Sequence, residues 1–190
     1  MAQGLLIIVS GPSGVGKGTI CKELVERRPN LKVSISCTTR ERRRNEEEGV
    51  HYFYKTEEEF NRMVMEGQLL EHAYVHGHQY GTPKAYVVDM LEIDVQGSIA
   101  AMKSYPDAVT VFVLPPDRDQ LRERLQNRAT ETPEQIALRL RNAELELFMV
   151  KEYQYCVIND KLEDAVHDVE AILDAEHCKV SRGAQGAAGL

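Results

Sequence analysis

The stretch Gly11-Pro12-Ser13-Gly14-Val15-Gly16-Lys17-Gly18-Thr19 constrains this chain more than any other. It lies between the apolar run Leu5–Val9 and a segment, Ile20 to Val25, whose apolar residues recur at helical spacing. Strand, glycine-rich loop, helix is the setting a phosphate cradle requires. Gly11, Gly14, Gly16 and Gly18 let the backbone bend so that successive N–H groups converge on an anion, and the positive end of the following helix adds to that field. Lys17 then reaches the outer phosphates of a bound nucleotide as a point charge. The competing reading, a flexible strand-to-helix connector, gives the lone lysine no purpose. The position after the lysine, where a magnesium-binding hydroxyl is usual, holds Gly18, with Thr19 one step later. The metal is therefore expected to be held mostly through water, phosphate oxygens and a carboxylate elsewhere.

A chain of 190 residues, 43% hydrophobic and 28% charged, suffices for one domain with a real core. Its formal net charge of −7 offers no overall basic surface to a nucleic-acid polymer. Cys21, Cys37, Cys156 and Cys178 have no metal-ligand spacing and read as reduced thiols. The first apolar run lacks a preceding basic segment and is too short to cross a bilayer. A cytoplasmic protein without a membrane segment is expected.

Along the chain, strand-like runs alternate with helical ones. Strands are expected at Leu5–Val9, Leu31–Cys37, Leu69–Val75, Met90–Val95, Val109–Leu114 and Tyr155–Ile158. Helices are expected at Thr19–Arg28, Thr56–Glu66, Ser98–Lys103, Arg118–Asn127, Pro133–Lys151 and Leu162–Ala175. Thr56 with Glu59 has the spacing of a capping box, and Gly67 closes that helix. His76 to Gly81 reads as turn-rich, and Ser181–Leu190 as a disordered tail. Alternation of this kind predicts an α/β fold with a parallel sheet covered on both faces and ligands at the carboxyl ends of its strands.

Several separate motifs, in order, resemble the guanylate kinase family. They are the loop Gly11–Thr19; Ser36-Cys37-Thr38-Thr39-Arg40 continuing through Arg43, Glu46, Gly49 and Tyr52; Glu71 with Tyr80-Gly81-Thr82-Pro83; and Leu91 through Gly97. Arg124, Arg128 and Thr130-Glu131-Thr132 with Arg139 follow, then Asn159-Asp160. The resemblance runs from about Leu5 to about Glu176. It implies a P-loop kinase core (1–35 and 88–180), a small GMP-binding lobe (about 36–87) and a lid (about 126–140), within one domain spanning 1–180. It also implies transfer of a phosphoryl group from ATP to GMP with Mg²⁺, in purine nucleotide metabolism. dGMP is a further acceptor to consider, and self-association is compatible with the sequence.

The chemistry of the residues agrees with that implication. Gripping an acceptor phosphate suits guanidinium forks, and Arg40 and Arg43 supply two, with Ser36, Tyr52 and Tyr80 as hydroxyl donors. The resemblance adds Glu46 to this group. Taken alone, the run Arg40–Arg44 could be a solvated stretch balanced by Glu46, Glu47 and Glu48. Guanine presents N1–H and N2–H₂ side by side, so one ionised carboxylate accepts both, and adenine lacks the pair. Glu71 matches the family's guanine-binding glutamate, and Thr82 is placed to donate to O6; otherwise Glu71 is an ordinary surface acid. Glu92 and Asp94 read as alternating acids on one strand, which the resemblance places near the acceptor and the magnesium, with Thr19 as a further metal candidate. One of them could instead steady an arginine or Lys17. Arg124, Arg128 and Arg139, together with Lys17, are expected to stabilise the transferring phosphoryl group. The plainer alternative for the first two is a surface helix paired to Glu123 and Glu131.

His51, His72, His76 and His78 have no metal spacing, and Met63, Met65, Met90 and Met102 read as core. Three departures from the family pattern stand out. Arg42 and Asn45 replace a common proline and glycine, and Ala129 replaces a lid glycine. The chain from Thr82 to Glu92 is also several residues short, which reads as an absent segment rather than a truncated helix; a straight fusion would make Tyr80 and Thr82 harder to position. Two other functions fit parts of the pattern: a monophosphate kinase of different base specificity, and a non-catalytic guanylate-kinase-like module that holds a phosphorylated peptide in the acceptor pocket.

Overall fold

Ile7, Ile8 and Val9 are all fully buried, so the first strand is covered on both faces. The computed structural model describes residues 5–75, 77–126 and 133–180. β1 (Ile7–Ser10) runs through the glycine loop into α1 (Lys17–Arg27). β2 (Cys37–Thr38), β3 (Phe53–Tyr54), α2 (Glu57–Met65), β4 (Leu69–Val75) and β5 (His78–Pro83) follow. The chain returns through β6 (Met90–Glu92), α3 (Val95–Ser104), β7 (Val109–Leu114), α4 (Arg118–Gln126), α5 (Pro133–Leu147), β8 (Tyr155–Ile158) and α6 (Leu162–His177).

Two four-stranded sheets result, and they have different characters. The first has the order β6-β1-β7-β8 with every pairing parallel. Ile7 and Val9 face Ile20 and Leu24 of α1 and Val166, Val169 and Leu173 of α6; Ile8 joins Leu91 and Ala101 of α3 on the other face. This is the α/β core expected from the alternation. The second sheet, β3-β2-β5-β4, is mixed and packs Phe60 of α2 onto Cys37 and Leu69. α2 opens on the expected capping box: Thr56 Oγ1 accepts from Glu59 N–H at 3.2 Å, and Glu59 Oε2 from Thr56 N–H at 2.9 Å.

Four local expectations are corrected. Leu31 to Ser36 forms no strand and touches the first sheet through a single bridge, Val33 to Met90. The turn-rich reading of His76 to Gly81 fails from His78 onward, because His78–Pro83 pairs along β4 as an antiparallel strand; the hairpin ladder overrides the polar, glycine-containing sequence. The strand expected to reach Val95 ends at Glu92, because Asp94 caps α3 by accepting from the N–H groups of Gln96 (2.8 Å) and Gly97 (3.0 Å). Met65 is 80% exposed and is not core, whereas Met90 is fully buried.

The short Thr82–Glu92 connection leaves β5 opposite a register irregularity between Leu69 and Glu71 of β4. One 3₁₀ turn, Lys84–Tyr86, leads to Asp89, whose carbonyl accepts from Ile7 N–H at 2.8 Å and whose carboxylate accepts from Lys32 N–H at 3.0 Å. The β4–β5 register sets Thr82 opposite Glu71 and Tyr80 opposite Ala73, so both residues are positioned despite the short connection. Among the described residues, no helix is long and apolar enough to cross a membrane. The expected tail 181–190, His76 and residues 127–132, which include Arg128, Ala129 and Thr130, lie outside the described residues.

Candidate active site

The glycine loop adopts a conformation that only its sequence allows. Gly16 has φ +99°, and a Cβ there would run into Asn159 Nδ2. Asn159, buried at the end of β8, donates Nδ2–H to Val15 O at 2.8 Å, and Arg124 of α4 donates to the same carbonyl at 3.3 Å and to Asn159 O at 2.9 Å. The loop is thus clamped from behind by two side chains. Replacing Asn159 with Ala removes a buried bond and is expected to cost about 1–3 kcal/mol of stability. Urea unfolding should read that loss together with weaker ATP binding; an unchanged midpoint and affinity would show that Arg124 alone suffices.

In front of the loop, a cleft of about 430 Å³ opens between the two sheets. Lys17 Nζ donates to Gly11 O at 2.6 Å and Pro12 O at 3.1 Å, within the loop itself. Burial lowers its pKa, while the nearby Glu92, Glu146 and Asp94 carboxylates act to raise it. Glu92 and Glu146 are in turn pushed up by burial against the pull of Lys17. Lys17 therefore faces three acids within the cleft. Glu92 also explains Gly18: a Cβ at that position would stand 3.2 Å from Glu92 Oε1, so the strand carboxylate occupies the room a side chain would take.

The opposite wall carries the acceptor group. Ser36, Arg40, Arg43, Tyr52, Glu71 and Tyr80 all border the cleft. Arg40 stacks over the Tyr52 ring at 5.5 Å, and Tyr52 meets Tyr80 edge-on. Glu46 borders the cleft as the counterion of this wall: it accepts from Arg40 Nη2 at 2.8 and 3.0 Å, from Arg43 N–H at 2.9 Å and from Tyr54 O–H at 2.8 Å. Burial acts to raise its carboxyl, but those bonds prevail and hold it at about 2.

Glu71 is buried beneath this wall. Its Oε1 accepts from Thr82 O–H at 2.7 Å. Burial pushes the Glu71 carboxyl up, the Thr82 hydroxyl pulls it down and Asp94 raises it again, for a result of about 7. Thr82 was expected to donate to a base oxygen; here its proton is engaged by Glu71, and Ser36 Oγ lies 3.4 Å from it.

Of the expected residues, Gly11, Ser13, Gly14, Gly16, Lys17, Gly18, Thr19, Arg139, Glu92 and Asp94 join the acceptor group around this one cleft. Pro12, Val15 and Thr82 stand behind it, and Glu92 and Asp94 occupy a strand end and a helix cap rather than one strand face. Arg124 is not brought into the cleft. Two residues were missed from sequence. Glu146 of α5 borders the cleft and accepts from Ser13 N–H at 3.3 Å. Asn159 was visible as a motif without a role; Glu146 gave no signal on an ordinary charged helix.

A family model for guanylate kinase matches residues 3–176. The chain belongs to the guanylate kinase family. It is 48% identical to the guanylate kinase of Caldanaerobacter subterraneus subsp. tengcongensis, covering 95% of this chain and 91% of that one. The Clostridium perfringens guanylate kinase is 46% identical, over 95% of this chain and 87% of the relative. The crystal structure of guanylate kinase from Anaplasma phagocytophilum superposes with a TM-score of 0.76 at 31% identity, over 96% of this chain and 90% of that one. The guanylate kinase fold thus accounts for both sheets and the cleft between them. The Caldanaerobacter alignment spans 188 positions yet only 95% of these 190 residues, so several positions of that guanylate kinase face no residue here.

Proposed function

We propose that this chain transfers the γ-phosphoryl group of ATP to GMP, giving ADP and GDP, and that the cleft is where it does so. The observation that carries this reading is the juxtaposition of Lys17 in its glycine loop with Arg40, Tyr52 and Glu71 on the facing wall. The loop N–H groups and Lys17 take the ATP phosphates. Arg40, Arg43, Ser36, Tyr52 and Tyr80 take the GMP phosphate, with Glu46 holding Arg40 in place. Glu71 accepts from guanine N1–H and N2–H₂.

A GMP phosphate oxygen then attacks the γ-phosphorus as the bond to ADP breaks. The acceptor is already an anion, so no general base is needed, and catalysis consists of alignment and charge stabilisation. Arg139, which donates to Ser13 Oγ at 3.5 Å, reaches the donor side of the cleft. Mg²⁺ would be held through Thr19, Glu92 and Asp94 with phosphate oxygens and water; these are the oxygen donors it prefers. When bound, the ion screens charge on the transferring group. We place the reaction in the cytoplasm, in recycling of guanine nucleotides, a compartment suited to four free cysteines. dGMP presents the same base and phosphate, so it fits the same contacts.

ADP formation measured with GMP, AMP, CMP and UMP tests the assignment. GMP is expected to be preferred by orders of magnitude, and equal use of AMP would overturn the guanine reading. The ionisation of Glu71 adds a pH dependence. GMP needs the charged carboxylate, and burial pushes the free carboxyl up to about 7. As pH falls below that value the apparent KM for GMP should rise, by up to roughly tenfold per unit for one coupled proton, and it should flatten above it. A Glu71→Gln variant should lose this limb; a profile that it leaves unchanged would assign the titration to another group.

A further inference from the structure

Gly97 has no backbone reason to be glycine. It lies in the first turn of α3, outside the positive-φ glycines, where alanine is the better helix former by about 1 kcal/mol. Space supplies the reason. A Cβ at position 97 would come under 3.0 Å from Glu71 Oε2 and stand 3.1 Å from Glu71 Cδ; the next neighbour, Asp94 Oδ2, is in ordinary contact at 3.6 Å. The bare Cα is therefore the floor on which the Glu71 carboxylate rests. Thr82 O–H fixes Oε1 from the side at 2.7 Å, and Gly97 N–H is already engaged by Asp94 at 3.0 Å.

We infer that Gly97 is a positioning residue for base recognition: its missing side chain sets how deeply the Glu71 carboxylate sits, and so whether both of its oxygens can face the two adjacent N–H donors of a guanine. This rests on the reading of Glu71 as the guanine acceptor. An added methyl does not strain the backbone, because the atoms it meets first are the end of a flexible side chain. It displaces Glu71 instead, until ordinary contact near 3.4 Å is restored. Misplacement on that scale at a positioned group lowers efficiency on the order of 10²-fold.

The test compares Gly97→Ala, Glu71→Gln and the double variant Gly97→Ala/Glu71→Asp in the whole protein, with GMP and IMP as acceptors. IMP keeps N1–H and lacks the exocyclic amine. Gly97→Ala should raise the KM for GMP at least roughly tenfold while the KM for ATP stays within about twofold, and the GMP-over-IMP preference should fall. The shorter aspartate leaves room for the new methyl, so the double variant should recover part of that preference. The melting temperature of Gly97→Ala should stay level or rise, as a better helix former predicts. An unchanged GMP KM and preference in Gly97→Ala overturns the inference, as does an equal rise in both KM values with a lowered melting temperature. If Glu71→Gln leaves the GMP-over-IMP preference intact, the base reading fails and this inference falls with it. If Glu71→Gln is impaired and Gly97→Ala is normal, only the role of Gly97 fails.

Discussion

Lys17→Met lowers kcat for phosphoryl transfer by roughly 10²–10³-fold, the loss typical of removing one preorganised charge from a transition state. Methionine keeps an unbranched apolar stem only one atom shorter, so the effect reports mainly charge. Lys17 is the cation facing Glu92, Glu146 and Asp94, and it bonds its own loop through Gly11 O and Pro12 O. ATP must draw the ammonium away from these carbonyls, so part of its binding energy is used in that rearrangement and part of the lysine's contribution appears only as charge develops. The variant should fold normally by circular dichroism, with its KM for GMP little changed. Single-turnover kinetics check the prediction. Wild-type kcat in Lys17→Met would mean that the loop N–H groups and Arg139 carry the charge without it. The same variant should leave Glu92 and Glu146 more readily protonated, because the charge that holds them down is gone.

Glu71→Gln is expected to reduce kcat/KM for GMP by roughly 10²–10³-fold without creating good use of AMP. A carboxylate accepts two bonds from guanine; a glutamine offers one carbonyl and turns an N–H toward a base donor. The pocket loses an attraction and gains a repulsion, and both are buried. On the proposed reading adenine gains little, since Ser36 and the Glu46-braced Arg40 would still serve the acceptor phosphate while the base end offers adenine no new partner. Rates with GMP and AMP for both proteins check this. A variant that handles GMP as the wild type does would favour a kinase of different base specificity. A protein that bound a phosphorylated peptide but not ATP would point to the non-catalytic module.

Legibility from sequence followed the range of the interactions. β7 (Val109–Leu114) and β8 (Tyr155–Ile158) fall on the residues expected, but only β7 is a buried strand: β8 lies at the sheet edge and of its four residues buries only Val157. The Thr56–Glu59 box was readable because both of its bonds close within three residues. Asp94 misled for an instructive reason. Alternation with Glu92 suggests a strand face, but a capping aspartate gains two N–H bonds when the helix begins beside it, and that choice depends on where α3 packs. Arg124 and Arg139 looked alike as candidates; one is drawn behind the loop to Val15 and Asn159, the other faces Ser13.

The sequence by itself determined that a strand, a bent glycine loop and a helix would present a lysine to phosphates, and that arginines, tyrosines and a glutamate with the family's spacing would accompany them. These are local matters of backbone freedom, periodicity and side-chain chemistry. Only the tertiary structure decided which acids surround Lys17, that Glu146 approaches the loop from a distant helix, and that Glu71 rests on Gly97 across a gap of 26 residues. Those contacts join elements far apart in the chain. Their partners are chosen by how two sheets and their helices pack, a choice that no stretch of sequence encodes alone.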